Sequence, residues 1–176
     1  MLRGEKVYLR ARDAADVPVL HRELYDDVPM HARADGRPWW PRPVATGSPY
    51  DAKEPSESAA VFSAVAVDGD VLVGETLLWG TDLHNRYAHV GISLLPTARG
   101  RGFGTEILEL LAGYGFDVLG LHRLQVETLA DNAPMVAAAE RVGFRLEGHL
   151  RQSAWVLGAF ADEVVLGLLA DEWRGR

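Results

Sequence analysis

Cysteine is absent from all 176 positions. That absence excludes a disulfide scaffold, a thiolate zinc site and a cysteine nucleophile. Long apolar runs are missing too. None approaches the roughly 18 residues of a membrane-spanning helix, and Met1-Leu2-Arg3-Gly4-Glu5-Lys6 lacks the apolar core of a secretory signal. A soluble, cytoplasmic protein is the expectation. No internal repeat or low-complexity segment is visible. Basic residues are the minority charge, 18 Lys and Arg against 25 Asp and Glu, for a net charge of −7. This balance argues against non-specific binding to nucleic acid or a membrane surface and leans toward a cationic acceptor. What is present is an ordinary globular composition, 48% hydrophobic and 24% charged, at a length suited to one domain with a sizeable core.

The chain is organised around Arg99-Gly100-Arg101-Gly102-Phe103-Gly104-Thr105. Before it, residues 88–95 read as a strand, ended by Pro96, which cannot donate to a ladder. After it, Ile107, Leu108, Leu111, Gly115, Val118 and Leu119 recur at helical spacing, predicting an amphipathic helix over 105–119. The glycines therefore sit between a strand end and a helix start. There, backbone N–H groups without intrahelical partners and the helix dipole favour an anion. Arg99 and Arg101 add positive charge, so a phosphate-bearing ligand is one reading; a Gly-rich turn into a surface helix is the other. Two dinucleotide motifs fit poorly. The P-loop requires Lys-Ser/Thr after its last glycine, and the Rossmann fingerprint belongs at the first strand of a βαβ unit rather than mid-chain.

The remaining elements follow in order. Residues 7–11 alternate as a first strand, and Asp13 reads as a helix cap before 14–20, with Pro18 in the first turn. Residues 29–58 hold Pro29, Pro38, Pro41, Pro43, Pro49 and Pro55 with Trp39, Trp40 and Tyr50 between them. This density suits a constrained loop or short helical turns. Trp39 and Trp40 either plug the end of the core or wall an acceptor pocket, in which case His31, Arg33 and Asp35 are candidate contacts. Residues 60–67 and 72–79 read as strands joined at Asp68-Gly69-Asp70, a hairpin signal. Residues 122–128 alternate as a strand. Asp131-Asn132-Ala133-Pro134 opens a helix that closes at Gly143. Strands are expected over 144–150, then 151–157 and 162–169 around Gly158-Ala159. The apolar stretch 164–169 could be buried or could pair across a dimer.

Arg99, Gly102 and Gly104 occupy the fixed positions of Gln/Arg-x-x-Gly-x-Gly/Ala, and the arrangement resembles the pyrophosphate loop of the GNAT N-acetyltransferase superfamily. Asn132, Gly143-Phe144, Glu147-Gly148, Gly158, Asp162 and Trp173 extend the resemblance toward the C-terminus. They point to the branch containing the ribosomal-protein (Rim-type) N-terminal acetyltransferases and related enzymes of small-molecule and antibiotic modification. The resemblance implies one α+β, GNAT-like domain over 1–176, with a mixed, mostly antiparallel central sheet flanked by helices and 29–58 as the variable acceptor-side segment. It implies acetyl-coenzyme A as acyl donor, no metal, an amine acceptor such as a protein N-terminus or a small molecule, and a homodimer by family habit. The amides of Gly100, Arg101, Gly102, Phe103, Gly104 and Thr105 would take the pyrophosphate. The backbones of Ile92 and Leu94 would pair with the pantetheine arm, an amide near Leu94 would face the thioester oxygen, and Asn132 would bond the arm or simply cap its helix. His31, Arg33, Trp39 and Trp40 would meet the acceptor.

For the catalytic base, many relatives carry a glutamate about ten residues before the loop, and here the position is His89. An imidazole is well matched to removing an ammonium proton near neutral pH; a satisfied strand histidine is the alternative. Glu75 and Glu127 are further candidates. The family's acid, a tyrosine in the helix after the asparagine, falls on Ala139, which cannot donate a proton. Ser93 or Ser153, or solvent, would take its place. A coenzyme A-binding sensor without chemistry is the competing reading.

Overall fold

The computed structural model describes residues 1–52 and 56–175. Among these, eight strands form one sheet: β1 (Leu2–Arg3), β2 (Val7–Arg10), β3 (Ala59–Ala66), β4 (Val71–Asp82), β5 (Tyr87–Leu94), β6 (Arg123–Leu129), β7 (Arg145–Val156) and β8 (Ala159–Leu169), in the order β1-β2-β3-β4-β5-β6-β8-β7. Every neighbouring pair is antiparallel except β5 and β6. The helices are α1 (Asp16–Leu20), continued by a wider π turn over His21–Tyr25, then α2 (Val28–Ala34), α3 (Phe103–Gly113), α4 (Ala133–Val142) and α5 (Ala170–Arg174). No helix of the described residues is long and apolar enough to cross a membrane.

Alternation along the strands sends Leu78, Ala88, Val90, Leu124, Val126, Leu166 and Leu168 to one face, where all are buried. Ile107, Leu108 and Leu111 of α3 and Ala139 and Val142 of α4 close the same core. The opposite face meets α1, α2 and the Pro/Trp-rich segment: Ser63 Oγ on β3 donates to Asp16 Oδ2 of α1 at 2.7 Å. Just before the Pro/Trp-rich segment the carboxylate of Asp27 caps α2 by accepting from the Met30 amide at 3.1 Å. Buried His21 donates from Nε2 to the Arg42 carbonyl at 3.1 Å, and its Nδ1 bonds Ser48 Oγ at 2.9 Å. Residues 53–55 of the expected 29–58 segment lie outside the described residues.

Several expected boundaries move for physical reasons. The helix after the glycines starts at Phe103 instead of 105, because Gly102 takes φ +84 and serves as its N-cap. Asp13 does not cap α1 directly; its Oδ1 accepts from the Ala15 amide at 2.9 Å, and the helix opens three residues later. The strands expected at 144–150 and 151–157 are one continuous β7, paired with β8 from Val156↔Ala159 back to Arg145↔Gly167, with two bulges absorbing the surplus residues. The apolar stretch 164–169 lies within β8, between β6 and β7 of the same chain, so its pairing is internal.

Candidate active site

β5 and β6 run side by side only briefly. Among the described residues they pair at Tyr87↔Arg123, Ala88↔Leu124 and His89↔Gln125, and then part while both strands continue. The phase of the β4–β5 ladder decides which amides face the gap. The Leu95 amide donates to the Val73 carbonyl at 2.9 Å, and the register runs unbroken from Gly74↔Leu94 to Trp79↔His89. Alternation in an antiparallel ladder then turns the N–H and C=O of Ile92 and Leu94 away from β4, toward the side that β6 has left. Arg99 agrees with this phase: its Nε and NH2 groups reach back to the Leu94 carbonyl at 3.2 and 3.1 Å.

The glycine loop opens at the end of this gap. Gly100 and Gly102 sit at φ +72 and +84, and a Cβ on Gly100 or Gly104 would meet only open space. The first-turn amides of Phe103, Gly104 and Thr105 have no intrahelical acceptor. Glu106, whose charge would oppose an anion, is turned away to accept from the backbone amides of Glu5 and of Lys6. The Lys6 ammonium comes within 3.6 Å of where a Gly102 Cβ would be, and Arg101 lies over the Phe103 ring at 5.0 Å. Together with Glu5, Ala66, Val67 and Asp68 they line a recess of about 310 Å³. The open backbone, the dipole and the cations fit a pyrophosphate, and the free edge of β5 fits an amide-bearing arm.

On the face away from α3, register brings Glu75 and Trp79 of β4, His89 and Ser93 of β5, and Arg123, Gln125 and Glu127 of β6 onto one surface. The His89 ring stacks on Trp79 with centroids 4.3 Å apart and meets the edge of Tyr87 at 5.7 Å. Its Nδ1 lies 3.5 Å from Glu127 Oε1. Ser93 shares this face but stands four residues along the strand, about 13 Å away. Glu75 lies directly opposite Ser93 and accepts from Arg12 NH2 at 2.7 Å; the Arg12 side chain is only 4% exposed. That guanidinium also donates to the Tyr50 carbonyl at 3.0 Å and the Phe62 carbonyl at 3.3 Å. Glu75 is thus held in a buried ion pair, an unsuitable arrangement for a free base. Ser153 falls on the outer edge strand β7, with β6 and β8 between it and β5, so it is not brought to His89.

The remaining candidates divide. Asn132 does not cap α4 with its side chain; Nδ2 donates instead to Thr128 Oγ1 at 2.9 Å, at the mouth of the gap. His31 is 6% exposed, with its ring edge-on to Tyr25, and burial holds its pKa below the usual histidine value. Arg33 bridges from α2 to Asp131 at 2.6 Å, beside the start of α4. The two tryptophans part company: Trp39 packs against the core, whereas Trp40 is 61% exposed and its backbone carbonyl accepts from Tyr25 OH at 2.6 Å. Asp35 is held below the usual carboxylate range: burial opposes this, but hydrogen bonds from Arg37 outweigh it. Ala139, at the family's acid position, is wholly buried. Arg12, Tyr50 and Lys6 had no local signal in the sequence, because each acts across at least one intervening element. Among the described residues no three His, Cys, Asp or Glu side chains are grouped to share a metal.

Comparison with known proteins fits this geometry. A family model described as an acetyltransferase (GNAT) domain matches residues 6–145. The "Uncharacterized N-acetyltransferase p20" of Bacillus licheniformis is 29% identical over 114 residues, 65% of this chain and 64% of that protein. The "Putative ribosomal N-acetyltransferase YdaF" of Bacillus subtilis (strain 168) is 34% identical over 115 residues, 65% of this chain and 62% of that protein. The chain thus matches just under two thirds of the length of these two relatives. In fold, it superposes on a spermidine N-acetyltransferase from Vibrio cholerae, solved in complex with CoA and spermine, with a TM-score of 0.82 at 20% identity, over 96% of this chain and 98% of that one.

Proposed function

This chain belongs to the GNAT acetyltransferase family, and we propose that it transfers an acetyl group from acetyl-coenzyme A to a cationic primary amine, by direct attack with both substrates bound. The observation that carries the reading is the parting of β5 from β6 beside an open glycine loop, which leaves strand amides and helix-start amides free together. The amides of 100–105, with Lys6 and Arg101, hold the pyrophosphate; Ile92 and Leu94 pair with the pantetheine arm, and Asn132 steadies it. Bound acetyl-coenzyme A supplies an acyl group already activated as a thioester. His89 takes a proton from the acceptor's ammonium, leaving a neutral amine. The amine nitrogen bonds to the acyl carbon as the carbon–sulfur bond breaks, the nitrogen gives up its second proton to water to leave the neutral amide, and the sulfur leaves as thiolate to be protonated from solvent. Holding both partners supplies the largest share of the rate, since oriented reactions reach effective molarities of about 10⁵–10⁸ M.

The acceptor enters from the face bearing His89, between Trp79 and the Trp40 side of the Pro/Trp-rich segment. The net charge of −7 and exposed Glu127 and Asp131 support a polycation or a peptide N-terminus. The whole of 1–176 acts as one domain, with 29–58 shaping acceptor choice. We place it in the cytoplasm as a homodimer; the exposed Leu146, Leu150 and Trp155 on edge strand β7 support that assembly, which sedimentation would measure. Ala139 favours a second reading, a coenzyme A-binding sensor without chemistry. A thiol-release assay with acetyl-coenzyme A against spermidine, spermine, amino acids and short peptides, beside calorimetry of coenzyme A binding, separates the two. Turnover on an amine supports the enzyme, tight binding without turnover across the panel supports the sensor, and no binding overturns both.

A further inference from the structure

Four side chains meet end to end on the sheet face that carries His89. Arg123 of β6 holds Glu147 of β7, donating from NH1 to Oε1 at 2.8 Å and from NH2 to Oε2. The same NH2 group donates to Gln125 Oε1 at 2.9 Å. A guanidinium can only donate, so the Gln125 carbonyl oxygen is fixed toward Arg123 and its amide nitrogen toward the next residue. That nitrogen donates to Glu127 Oε1 at 2.6 Å. The chain of bonds thus aims one carboxylate oxygen of Glu127 at His89 Nδ1, 3.5 Å away.

Nδ1 is sealed from solvent and makes no hydrogen bond among the described residues. A bare lone pair in that position would face a carboxylate oxygen, whereas an N–H there has an acceptor 3.5 Å away. The environment of one ring nitrogen sets the state of the other. The ring cannot swing away easily, because Trp79 stacks on one side and Tyr87 meets its plane edge-on. Beside its Cδ2–Nε2 edge lies Gly80, where an added Cβ would sit 3.1 Å from Cδ2, so that edge is not covered by a side chain from Gly80.

We propose that Glu127, aimed by Gln125 and Arg123, is the positioning residue of His89, keeping a proton on Nδ1 so that Nε2 presents its lone pair to the acceptor ammonium. This rests on the reading of His89 as the base. One proton passes from the ammonium nitrogen to Nε2; Glu127 stays ionised, its contact with Nδ1–H tightens as the ring becomes cationic, and Nε2 later releases the proton to water. Hydrogen bonds of this kind are often long without substrate. Among the described residues, the titratable groups beside the ring are Glu127 from β6 and Tyr87 from β5 itself; β4 contributes Trp79 and Gly80.

The test compares Glu127→Gln, His89→Ala and the double variant in kcat, KM and pH profile, and reads the ring tautomer of His89 by ¹⁵N NMR of the full chain, which needs no acceptor. Glu127→Gln is expected to lower kcat by at least about tenfold, to shift the pH profile, and to leave KM for acetyl-coenzyme A and thermal stability unchanged. In the His89→Ala background it should cost nothing further, the signature of two residues acting as a unit. NMR should find Nδ1–H in the wild type and a shift toward Nε2–H in Glu127→Gln, with Gln125→Leu moving the same way by less. An equal kcat loss with and without His89, or Nε2–H in the wild type, overturns the proposal. A dead His89→Ala beside an unaffected Glu127→Gln overturns it while sparing the base; full activity in His89→Ala refutes the base itself.

Discussion

Glu75→Gln removes the negative partner from a guanidinium that is only 4% exposed. Three neutral acceptors stay with Arg12 afterwards: the Tyr50 and Phe62 carbonyls and Ser63 Oγ at 3.3 Å. They satisfy its hydrogens but not its charge. Breaking a buried pair from one side costs about 3–5 kcal/mol, and the surviving acceptors place this site at the lower end, about 3 kcal/mol. For a chain of this length that is a fall of about 10 °C in Tm. Urea denaturation gives the free energy, and kcat is measured well below the lowered Tm. With Glu75 as a clamp between β4, β3 and the segment ending at Tyr50, kcat in the remaining folded protein falls only severalfold. Replacing both members by methionine should recover most of the stability, since a matched apolar pair leaves no buried charge. A variant of wild-type stability with kcat reduced about 10²-fold or more, the loss expected of a missing general base, would refute this and return Glu75 to the chemistry.

Two further outcomes follow from the same geometry. Burial pushes the Asp16 carboxyl upward, but hydrogen bonds from Arg10 and Ser63 prevail and bring it from 3.8 down to about 2. A depressed carboxylate stabilises the fold above its unfolded value and loses that contribution as pH falls toward 2; Asp16→Asn should therefore cost about 2 kcal/mol at pH 7, with the gap to wild type closing between pH 4 and pH 2 in acid titrations of denaturation. Gly74→Ala would put a Cβ 2.2 Å from the Ser93 carbonyl oxygen and 2.9 Å from Leu94 Cα, both backbone atoms, so β5 must shift where the pantetheine arm is held. A displacement of about 1 Å there should cost about 10²-fold in kcat/KM, read by initial rates over an acetyl-coenzyme A titration, although residue 74 need not touch either substrate.

Local signals carried most of the fold. The glycine loop, the hairpin at Gly69, the α4 stop at Gly143 and the alternation of β5 all depend on residues close in sequence, and each is found near its expected place. Edge strand β7 was harder to read because its side chains are mostly exposed, so burial imposes no alternation on it and the run from Arg151 looked like a break. The ion pair of Arg12 and Glu75 joins residues 63 apart through β3 and β4, and no spacing rule reports such a contact. Adjacent tryptophans carry one signal in the sequence, but the structure sends Trp39 against the core and Trp40 out to solvent, a difference that composition and spacing do not report. His89 was found from its distance to the loop; what surrounds it was not, since Glu127 comes near only through the parallel register of β5 and β6.

That register links the two halves of the site. His89 is the last residue of β5 that still pairs with β6. One step earlier, the strands would part before Gln125 came level with it, and the carboxylate of Glu127 would have no fixed relation to the ring. One step later, pairing would reach into the backbone groups of the strand that face the gap. The position where pairing stops therefore sets both the donor's edge and the base's orientation. A substitution that extends or shortens the β5–β6 ladder by one residue should disturb cofactor affinity and proton transfer together, whereas changes confined to the glycine loop should disturb affinity alone.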